Sequence, residues 1–311
     1  MMRAVVFAYH DVGVRCLSVL LARGVDVPLV VTHEDDPGEA IWFGSVSALA
    51  KRHELPVVTP KSAKDPELAA RIRAIAPDLL FSFYYRRLIP EPVLRSASRG
   101  ALNMHGSLLP KYRGRSPVNW AIANGETETG ATLHHMTARP DAGAIVGQQA
   151  VSILPDDVAL DVFRKVTCAA ERLLDSALPK LIDGSAAGVP QSEELATTYG
   201  GRKPEDGLID WHNPAAAVHN LVRAVAPPYP GAFTSLRGRR MFVHRTVRAD
   251  TAPHRATPLH LHGDGGHCYA VCGDGRSVRL VEATARDGSP FDLQALAREI
   301  EGRPLPLAHS L

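Results

Sequence analysis

The first two hundred residues alternate short apolar runs with segments of helical periodicity. Between the first two runs, Val14, Leu17, Leu20 and Leu21 follow one another at the spacing of a helix face. Strands that alternate with helices predict a parallel sheet flanked by helices, because parallel neighbours need a long crossover connection. The candidate strands are residues 4–8, 28–32, 56–59, 79–83, 101–104 and 132–136.

Two helices are predicted from their end signals. Ser116 and Pro117 are typical of a helix cap followed by a first helical residue. A longer helix is predicted to begin at Asp156 or Asp157, either of which can cap it, and to end at Gly184. The residues after the first strand lack the glycine spacing of a dinucleotide site, so we expect a Rossmann-like α/β domain that need not bind NAD.

The character of the sequence changes after Pro204. Glycine-containing turns there separate short runs of alternating polarity, which predicts a small β-rich domain. These runs are residues 241–244, 259–262, 268–272 and 277–281. We therefore predict two domains, residues 1–203 and 204–311.

The composition excludes several classes of protein. The 311 residues are 45% hydrophobic and 22% charged, as in a soluble globular protein. With 35 basic and 33 acidic residues there is no overall field to attract nucleic acid or an anionic membrane. No apolar run approaches the ~20 residues of a membrane span, and the four cysteines follow no secreted pattern. We expect a cytoplasmic enzyme without a nucleic-acid partner.

Three side chains are candidates for the chemistry. Asn103 and His105 stand two residues apart in a predicted strand, so they share one face, and Asp141 lies on a loop further along the chain. An amide and an imidazole can donate hydrogen bonds to an oxyanion, and an imidazole with a pKa near ~6.5 can exchange a proton. A neighbouring carboxylate raises that pKa and orients the ring. These groups could move a one-carbon acyl group between nitrogens without a metal; structural roles for all three are the alternative.

Two other histidine groups need an interpretation. His260, His262 and His267 stand near Cys268 and Cys272, and these are residue types that bind zinc. However, the cysteines form no Cys-x-x-Cys pair and residues 263–266 are typical of a hairpin turn, so we predict exposed strand histidines and no metal site. In the vicinal pair His134–His135, one ring faces the sheet and the other faces away, and neither is assigned a role.

The candidate residues lie in motifs that resemble a known family. Asn103 and His105, with their flanking loop and the later Asp141, resemble the 10-formyltetrahydrofolate-dependent formyltransferases. The resemblance implies a Rossmann-like catalytic domain with a parallel sheet, followed by an open barrel of the oligonucleotide-binding (OB) type. It also implies 10-formyltetrahydrofolate as cosubstrate, and it covers most of the chain. The matching segments are residues 103–114, 141–143, 202–211, 222–225 and 230–233.

The resemblance further implies which residues border the folate. Ligands bind at the carboxyl ends of parallel strands. Residues 84–89, 103–114 and 137–141 follow or end predicted strands, so we expect them to border one crevice. Arg87, Leu88 and Ile89 would offer backbone groups to the pterin ring, and Leu88, Ile89 and Leu109 would form an apolar wall. A solvated basic pair is the alternative for Arg86 and Arg87. The other implied pocket residues are Arg115, Thr137, Ala138, Arg139, Pro140 and Asp141.

The accepting amine is inferred from the segment after the second strand. Methionyl-tRNA formyltransferases resemble one another in a basic insertion there, whereas residues 32–39 of this chain contain four carboxylates and no Lys or Arg. Such a segment would repel a phosphate backbone. Residues 33–46, 81–86 and 124–130 resemble the formyltransferase half of the bifunctional enzyme that acts on UDP-4-amino-4-deoxy-L-arabinose in lipid A modification and polymyxin resistance.

We therefore expect formyl transfer to the 4-amino group of that UDP-sugar, with small-molecule substrates only. The alternatives are another amino-sugar nucleotide, methionyl-tRNA as acceptor, or an inactive folate- or nucleotide-binding module. The sequence stops at Leu311, where the bifunctional relative continues into a decarboxylating dehydrogenase. A free-standing transferase associated with a dehydrogenase/decarboxylase partner and an excised half are both open, and no oligomeric state is predicted.

Overall fold

The structure, a computed structural model, describes residues 1–249 and 258–307. Residues 250–257 and 308–311 of the predicted second domain lie outside the described residues. Two compact units are formed. The first comprises residues 1–117, 128–151 and 163–200, and the second comprises residues 118–127, 152–162 and the described part of 201–311. Each unit thus combines separate stretches of the chain, and the predicted boundary at residues 203 and 204 stays a prediction.

The first unit is built on a seven-stranded sheet. The strands of this unit, in chain order, are β1 (Arg3–Ala8), β2 (Asp26–Val31), β3 (Val57–Val58), β4 (Leu79–Phe83), β5 (Ala101–His105), β6 (Arg113–Gly114), β7 (Glu128–His135), β8 (Ile145–Ser152) and β9 (Thr198–Tyr199). The sheet order is β3-β2-β1-β4-β5-β7-β8, and β6 pairs separately with β9. β1 to β5 are parallel, as predicted, whereas β7 runs antiparallel to β5.

The helices of the α/β region include the three that the sequence predicts, one of which starts later than predicted. They are α1 (His10–Ala22), α2 (Val46–Arg52), α3 (Pro66–Ile75), α4 (Glu91–Leu94), α5 (Pro117–Ala123) and α6 (Ala159–Asp183). α5 begins at Pro117, as predicted. α6 begins at Ala159, so the prediction of a start at Asp156 or Asp157 is wrong: the Asp157 carboxylate instead accepts a hydrogen bond from the Leu154 N–H, in the preceding turn.

The central strands of the sheet are buried along nearly their whole length, which explains their unbroken apolar sequences. All five residues of β4 are buried, and β1 is buried after its first residue. Strands covered on both faces consist of unbroken apolar runs. β7 begins at Glu128, earlier than predicted, and β8 was not predicted at all, because their outer segments carry polar or partly exposed residues. The ends of β4 and β5 bring residues 84–89 and 103–114 to one edge of the sheet.

The second unit carries a six-stranded antiparallel sheet. Its strands are β10 (Ala232–Leu236), β11 (Arg239–Ala249), β12 (His260–Asp264), β13 (His267–Val271), β14 (Ser277–Ala285) and β15 (Leu305–Pro306), and its helices are α7 (Ala215–Ala224) and α8 (Leu293–Glu299). The order β10-β11-β14-β13-β12-β15 forms a curled half-barrel, consistent with the predicted OB-like domain. Gly265 and Gly266, both with positive φ, make the predicted hairpin turn between β12 and β13.

The histidines of this hairpin do not behave as one group. His267 is exposed, but His262 is buried, which corrects the expectation of exposed strand histidines. The reason is that α8 packs against β12. Burial also raises the pKa of the Cys268 and Cys272 thiols to about 12. Within residues 1–249 and 258–307 no cluster of three or more His, Cys, Asp or Glu side chains could hold a metal ion.

No helix in the part of the chain that the structure describes combines the length and the apolar character that a membrane span requires.

Trp211, in the motif at residues 202–211, anchors the second unit. It is fully buried, and its indole N–H donates to the Thr234 hydroxyl over 2.9 Å. Trp211→Phe is expected to lower the free energy of unfolding by about 1–3 kcal/mol, because it removes ring volume and leaves a buried hydroxyl without its donor. Urea unfolding measures this. Thr234→Val should lower the free energy of unfolding less in the Trp211→Phe variant than in the wild type, because the hydrogen bond is already lost. Losses that simply add in the double variant would contradict a stabilising role for this bond.

Candidate functional site

Asn103 and His105 project from β5 at the carboxyl edge of the sheet. They are two residues apart in the same strand, as predicted, and therefore point to one face. Across the antiparallel pairing of β5 with β7, Asn103 stands opposite His134. The Asn103 Nδ2 atom lies 3.1 Å from the His134 Nε2 atom. The amide that was predicted to bind an oxyanion is thus held by a neighbouring imidazole.

The hydrogen bonds of His134 define how the Asn103 amide is held. The His134 Nδ1 atom lies 2.8 Å from the backbone carbonyl oxygen of His135. A carbonyl can only accept, so Nδ1 carries the hydrogen, and Nε2 of the neutral ring accepts from Asn103. An amide nitrogen has two hydrogens. Asn103 therefore keeps a second N–H that can be donated to a substrate oxygen.

Asp141 lies in the turn between β7 and β8 and reaches back to the same place. Its Oδ2 atom accepts from the Gly114 N–H over 2.9 Å. Its Oδ1 atom lies 3.5 Å from His105 Nδ1 and 3.6 Å from His134 Nε2. The side chain is 14% exposed. The three residues singled out from the sequence therefore meet, and His134 joins them.

His105 is held by the loop that follows it. Its Nε2 atom lies 2.8 Å from the backbone carbonyl oxygen of Tyr112, so Nε2 is the nitrogen that carries a hydrogen. In the neutral ring Nδ1 then has a free lone pair, which faces the Asp141 carboxylate. A proton added to Nδ1 would convert this contact into a charge-assisted hydrogen bond. The pair is arranged to accept a proton.

Burial and neighbouring groups set the charges of His105 and Asp141. Burial lowers the pKa of His105, although Asp141 and the Tyr112 carbonyl oppose the shift. Burial would raise the pKa of Asp141, but His105, His134 and the Gly114 N–H outweigh it and hold that pKa well below its ordinary value. At neutral pH an ionised carboxylate therefore lies beside a neutral imidazole.

Comparison with known proteins identifies the family. Residues 5–178 match the family model described as formyl transferase, and residues 202–300 match the model of the formyl transferase C-terminal domain. The first match contains Asn103, His105 and Asp141 and covers more than half of the chain.

The chain belongs to the formyl transferase family.

Solved structures share the fold of this formyltransferase. The N-formyltransferase from Helicobacter canadensis, in complex with folinic acid and dTDP-3-aminofucose, has a TM-score of 0.71 and 18% identity, covering 94% of this chain and 100% of the other. WlaRD, a sugar 3N-formyl transferase in the presence of dTDP and 5-N-formyl-THF, also has a TM-score of 0.71, with 19% identity and coverages of 90% and 97%. The methionyl-tRNA formyltransferase from Clostridium thermocellum has a TM-score of 0.57 and 15% identity, with coverages of 81% and 96%.

The residues expected to contact folate fall on three segments of the formyltransferase. In the segment after β4, Leu88 is 75% exposed, Ile89 is buried in the core, and the Arg87 guanidinium donates to the Pro60 carbonyl over 2.6 Å. Leu109 is buried in the loop after β5. Their contacts with folate stay predictions.

The remaining expected folate residues flank Asp141 and Gly114. Residues 137–140 form an exposed turn that leads into Asp141, and within it the Thr137 hydroxyl donates to the Arg139 carbonyl over 2.8 Å. The Arg139 guanidinium pairs with Glu193 over 2.7 Å. Arg115 is exposed, and its backbone N–H donates to the Tyr199 carbonyl over 3.0 Å. Residues 137–140 and Arg115 are therefore accessible to solvent beside the partly buried Asp141 carboxylate.

Several members of the site were missed by sequence reasoning. His134 had been assigned no role because its contact with Asn103 depends on the pairing register of β5 and β7. The Tyr112 carbonyl and the Gly114 N–H are backbone groups, which residue identity does not reveal. The available signal was the placement of His134 in the predicted strand 132–136, which leads directly into the implied pocket residues 137–141.

Proposed function

We propose that this formyltransferase transfers the formyl group of 10-formyltetrahydrofolate to the 4-amino group of UDP-4-amino-4-deoxy-L-arabinose. The observation that carries the formyl-transfer chemistry is the convergence of Asn103, His105 and Asp141 at the end of β5. The choice of this UDP-sugar rests on the resemblance of residues 33–46, 81–86 and 124–130. The same proposal includes a role in lipid A modification and polymyxin resistance. It also includes an association with a dehydrogenase/decarboxylase.

In the proposed mechanism the neutral sugar amine attacks the formyl carbon. The carbonyl oxygen becomes an oxyanion and receives the second N–H of Asn103. The amine proton passes to His105, whose Nδ1 then pairs with the Asp141 carboxylate. The bond between the formyl carbon and nitrogen-10 breaks, nitrogen-10 takes up the proton that His105 accepted, and tetrahydrofolate leaves while the ring returns to its neutral form. Since the Nε2–H of His105 bonds the Tyr112 carbonyl, we assign the oxyanion chiefly to Asn103.

The choice of a sugar nucleotide rests first on the structural neighbours. The two reported neighbours with a TM-score of 0.71 are N-formyltransferases of amino sugars, and one of them holds a folate and a nucleotide-linked amino sugar together. The methionyl-tRNA formyltransferase superposes less well. These likenesses favour a nucleotide-activated amino sugar as the acceptor and leave the base and the sugar to experiment.

The acidic segment after β2 supplies a second argument. The Glu39 carboxylate pairs with both terminal nitrogens of the Arg86 guanidinium, over 2.6 and 2.7 Å, and the Asp35 carboxylate accepts from the Tyr9 hydroxyl over 2.7 Å. The Glu34 carboxylate accepts from the Thr59 hydroxyl. The segment is thus bonded within its own unit and presents no Lys or Arg, so it is unsuited to a tRNA backbone.

A panel of acceptors tests the proposal. We expect the protein, supplied with 10-formyltetrahydrofolate, to add the mass of one formyl group to UDP-4-amino-4-deoxy-L-arabinose and to leave charged initiator tRNA unchanged, as mass spectrometry would show. Formylation of the tRNA, with salt-sensitive binding, would support the runner-up instead. Formylation of a different amino-sugar nucleotide alone would keep the chemistry and correct the substrate. Binding of folate without transfer to any acceptor would favour an inactive binding module.

A further inference from the structure

The turn that carries Asp141 is held by a side chain from a distant part of the chain. The Gln191 Nε2 atom donates to the backbone carbonyls of Asp141, over 2.8 Å, and Gly143, over 2.7 Å. One amide group thus uses both of its N–H bonds on the two carbonyls that flank Ala142. This contact fixes the backbone of the turn independently of the Asp141 carboxylate.

A buried arginine fixes the orientation of that amide. The Arg113 guanidinium, with its side chain 2% exposed, donates to the Gln191 Oε1 atom from Nε, over 3.1 Å, and from Nη2, over 2.8 Å. Because arginine has no acceptor, the oxygen of Gln191 must face it and the nitrogen must face the turn. Arg113 also pairs with Glu193, over 2.9 Å, on the exposed side of the same group.

The turn needs such a support because its backbone is strained. Asp141 has a φ of 55°, in the left-handed region, which costs a residue other than glycine of order 1–3 kcal/mol. Gly143 is pressed against the end of β7, where an added Cβ would lie 1.9 Å from the His135 carbonyl oxygen. A strained, close-packed turn persists only when surrounding contacts over-determine it.

Three consecutive residues connect this support to the reacting groups. The Tyr112 carbonyl accepts from His105, the Arg113 side chain orients Gln191, and the Gly114 N–H donates to the Asp141 carboxylate. The imidazole, the carboxylate and the amide that holds the turn are therefore all bonded to one short stretch of chain. A substitution of Gln191 should therefore change the position of Asp141 more than that of other residues.

We propose that Gln191 is a positioning residue for catalysis: oriented by Arg113, it holds the Asp141 turn in its left-handed conformation, so that the carboxylate lies between His105 and His134. The inference rests on the proposed function for its effect on rate, but not for its effect on structure. Without the two hydrogen bonds from Gln191, the turn can relax and the carboxylate can move away from His105.

Two neighbouring substitutions separate this role from general stabilisation. Gln191→Glu keeps an oxygen for Arg113 but sets a carboxylate oxygen against the Asp141 and Gly143 carbonyls. Glu193→Gln alters the exposed partner of Arg113 and Arg139, and leaves both bonds from Gln191 to those carbonyls in place. We expect Gln191→Glu to lower kcat roughly 10- to 100-fold, the size of effect that a misplacement of about 1 Å can cause. KM for the folate should change little, and Glu193→Gln should keep near wild-type kcat.

A measurement that needs no substrate completes the test. Hydrogen exchange of the Gly114 amide, followed by NMR, should accelerate in Gln191→Glu and stay as in the wild type in Glu193→Gln, while thermal unfolding confirms that both variants are folded. Unchanged Gly114 exchange in folded Gln191→Glu overturns the proposal, as do equal losses of kcat in the two variants. If no acceptor is formylated by the wild type, the proposed function fails, but the exchange result still decides the role of Gln191.

Discussion

Asn103→Ala and His105→Ala are expected to reduce formyl transfer by roughly 10²-fold or more while the protein still folds. For Asn103 the reason is loss of the amide N–H that faces the developing oxyanion, since one such donor typically contributes about that factor. For His105 the reason is loss of the group that we propose takes the amine proton, a contribution of roughly 10²- to 10⁴-fold. Single-turnover formylation with an acceptor that the wild type uses measures both.

The folding of these variants is expected to survive because the lost contacts are few. The side chain of Asn103 bonds the ring of His134, and that of His105 bonds one backbone carbonyl. His135→Ala is a matched control: it is the next residue of β7, its ring packs beside Gly188, and it should leave the rate near that of the wild type. Near-normal transfer by either Asn103→Ala or His105→Ala would refute the assigned roles.

Asp141→Asn is expected to lower kcat by roughly 10²-fold or more with little change in shape. The asparagine amide can still accept from the Gly114 N–H, but it carries no charge to stabilise a protonated His105. Asp141 raises the pKa of His105 against the effect of burial. Its removal should therefore move the acidic limb of the remaining activity to lower pH, which a profile of kcat against pH measures.

The same substitution has a pH-dependent effect on stability. The folded-state pKa of Asp141 is depressed, so its ionised form stabilises the fold above the unfolded-chain pKa of about 3.9, and this contribution is lost as pH falls towards the folded-state value. The difference in unfolding free energy between wild type and Asp141→Asn should be constant at and above neutral pH, where His105 is neutral in both proteins, and the contribution of the carboxylate should shrink below about pH 4. If the difference in unfolding free energy is the same at every pH, the neighbours of Asp141 do not lower its pKa in the folded protein.

The predictions that succeeded came from patterns that local chemistry controls. The strand at Leu79–Phe83 has the predicted bounds because five apolar or small residues in a row have the length and composition of a strand that is buried on both faces. Asn103 and His105 were expected together because alternation along a strand is a property of the backbone itself. The start of α5 at Pro117 likewise follows from the fixed φ of proline.

The predictions that failed or were absent involved partners distant in sequence. The start of α6 is a local exception: the Asp157 carboxylate accepts from the Leu154 N–H, three residues earlier, and the helix begins two residues after Asp157. β8 was not predicted because its residues are partly or fully exposed and form no apolar run. The burial of His262 was not predicted because it depends on packing against α8, which comes later in the chain.

The sequence by itself determined the fold class, the family and the chemical types of the three candidate catalytic residues, because periodicity, turn residues and motif spacing are local. Only the tertiary structure decided that His134 holds the Asn103 amide, that the Tyr112 carbonyl selects the protonated nitrogen of His105, and that Gln191 clamps the Asp141 turn. These contacts join residues that are brought together by strand register and loop closure. Their distances depend on the packing of the whole unit, which no short stretch of sequence encodes.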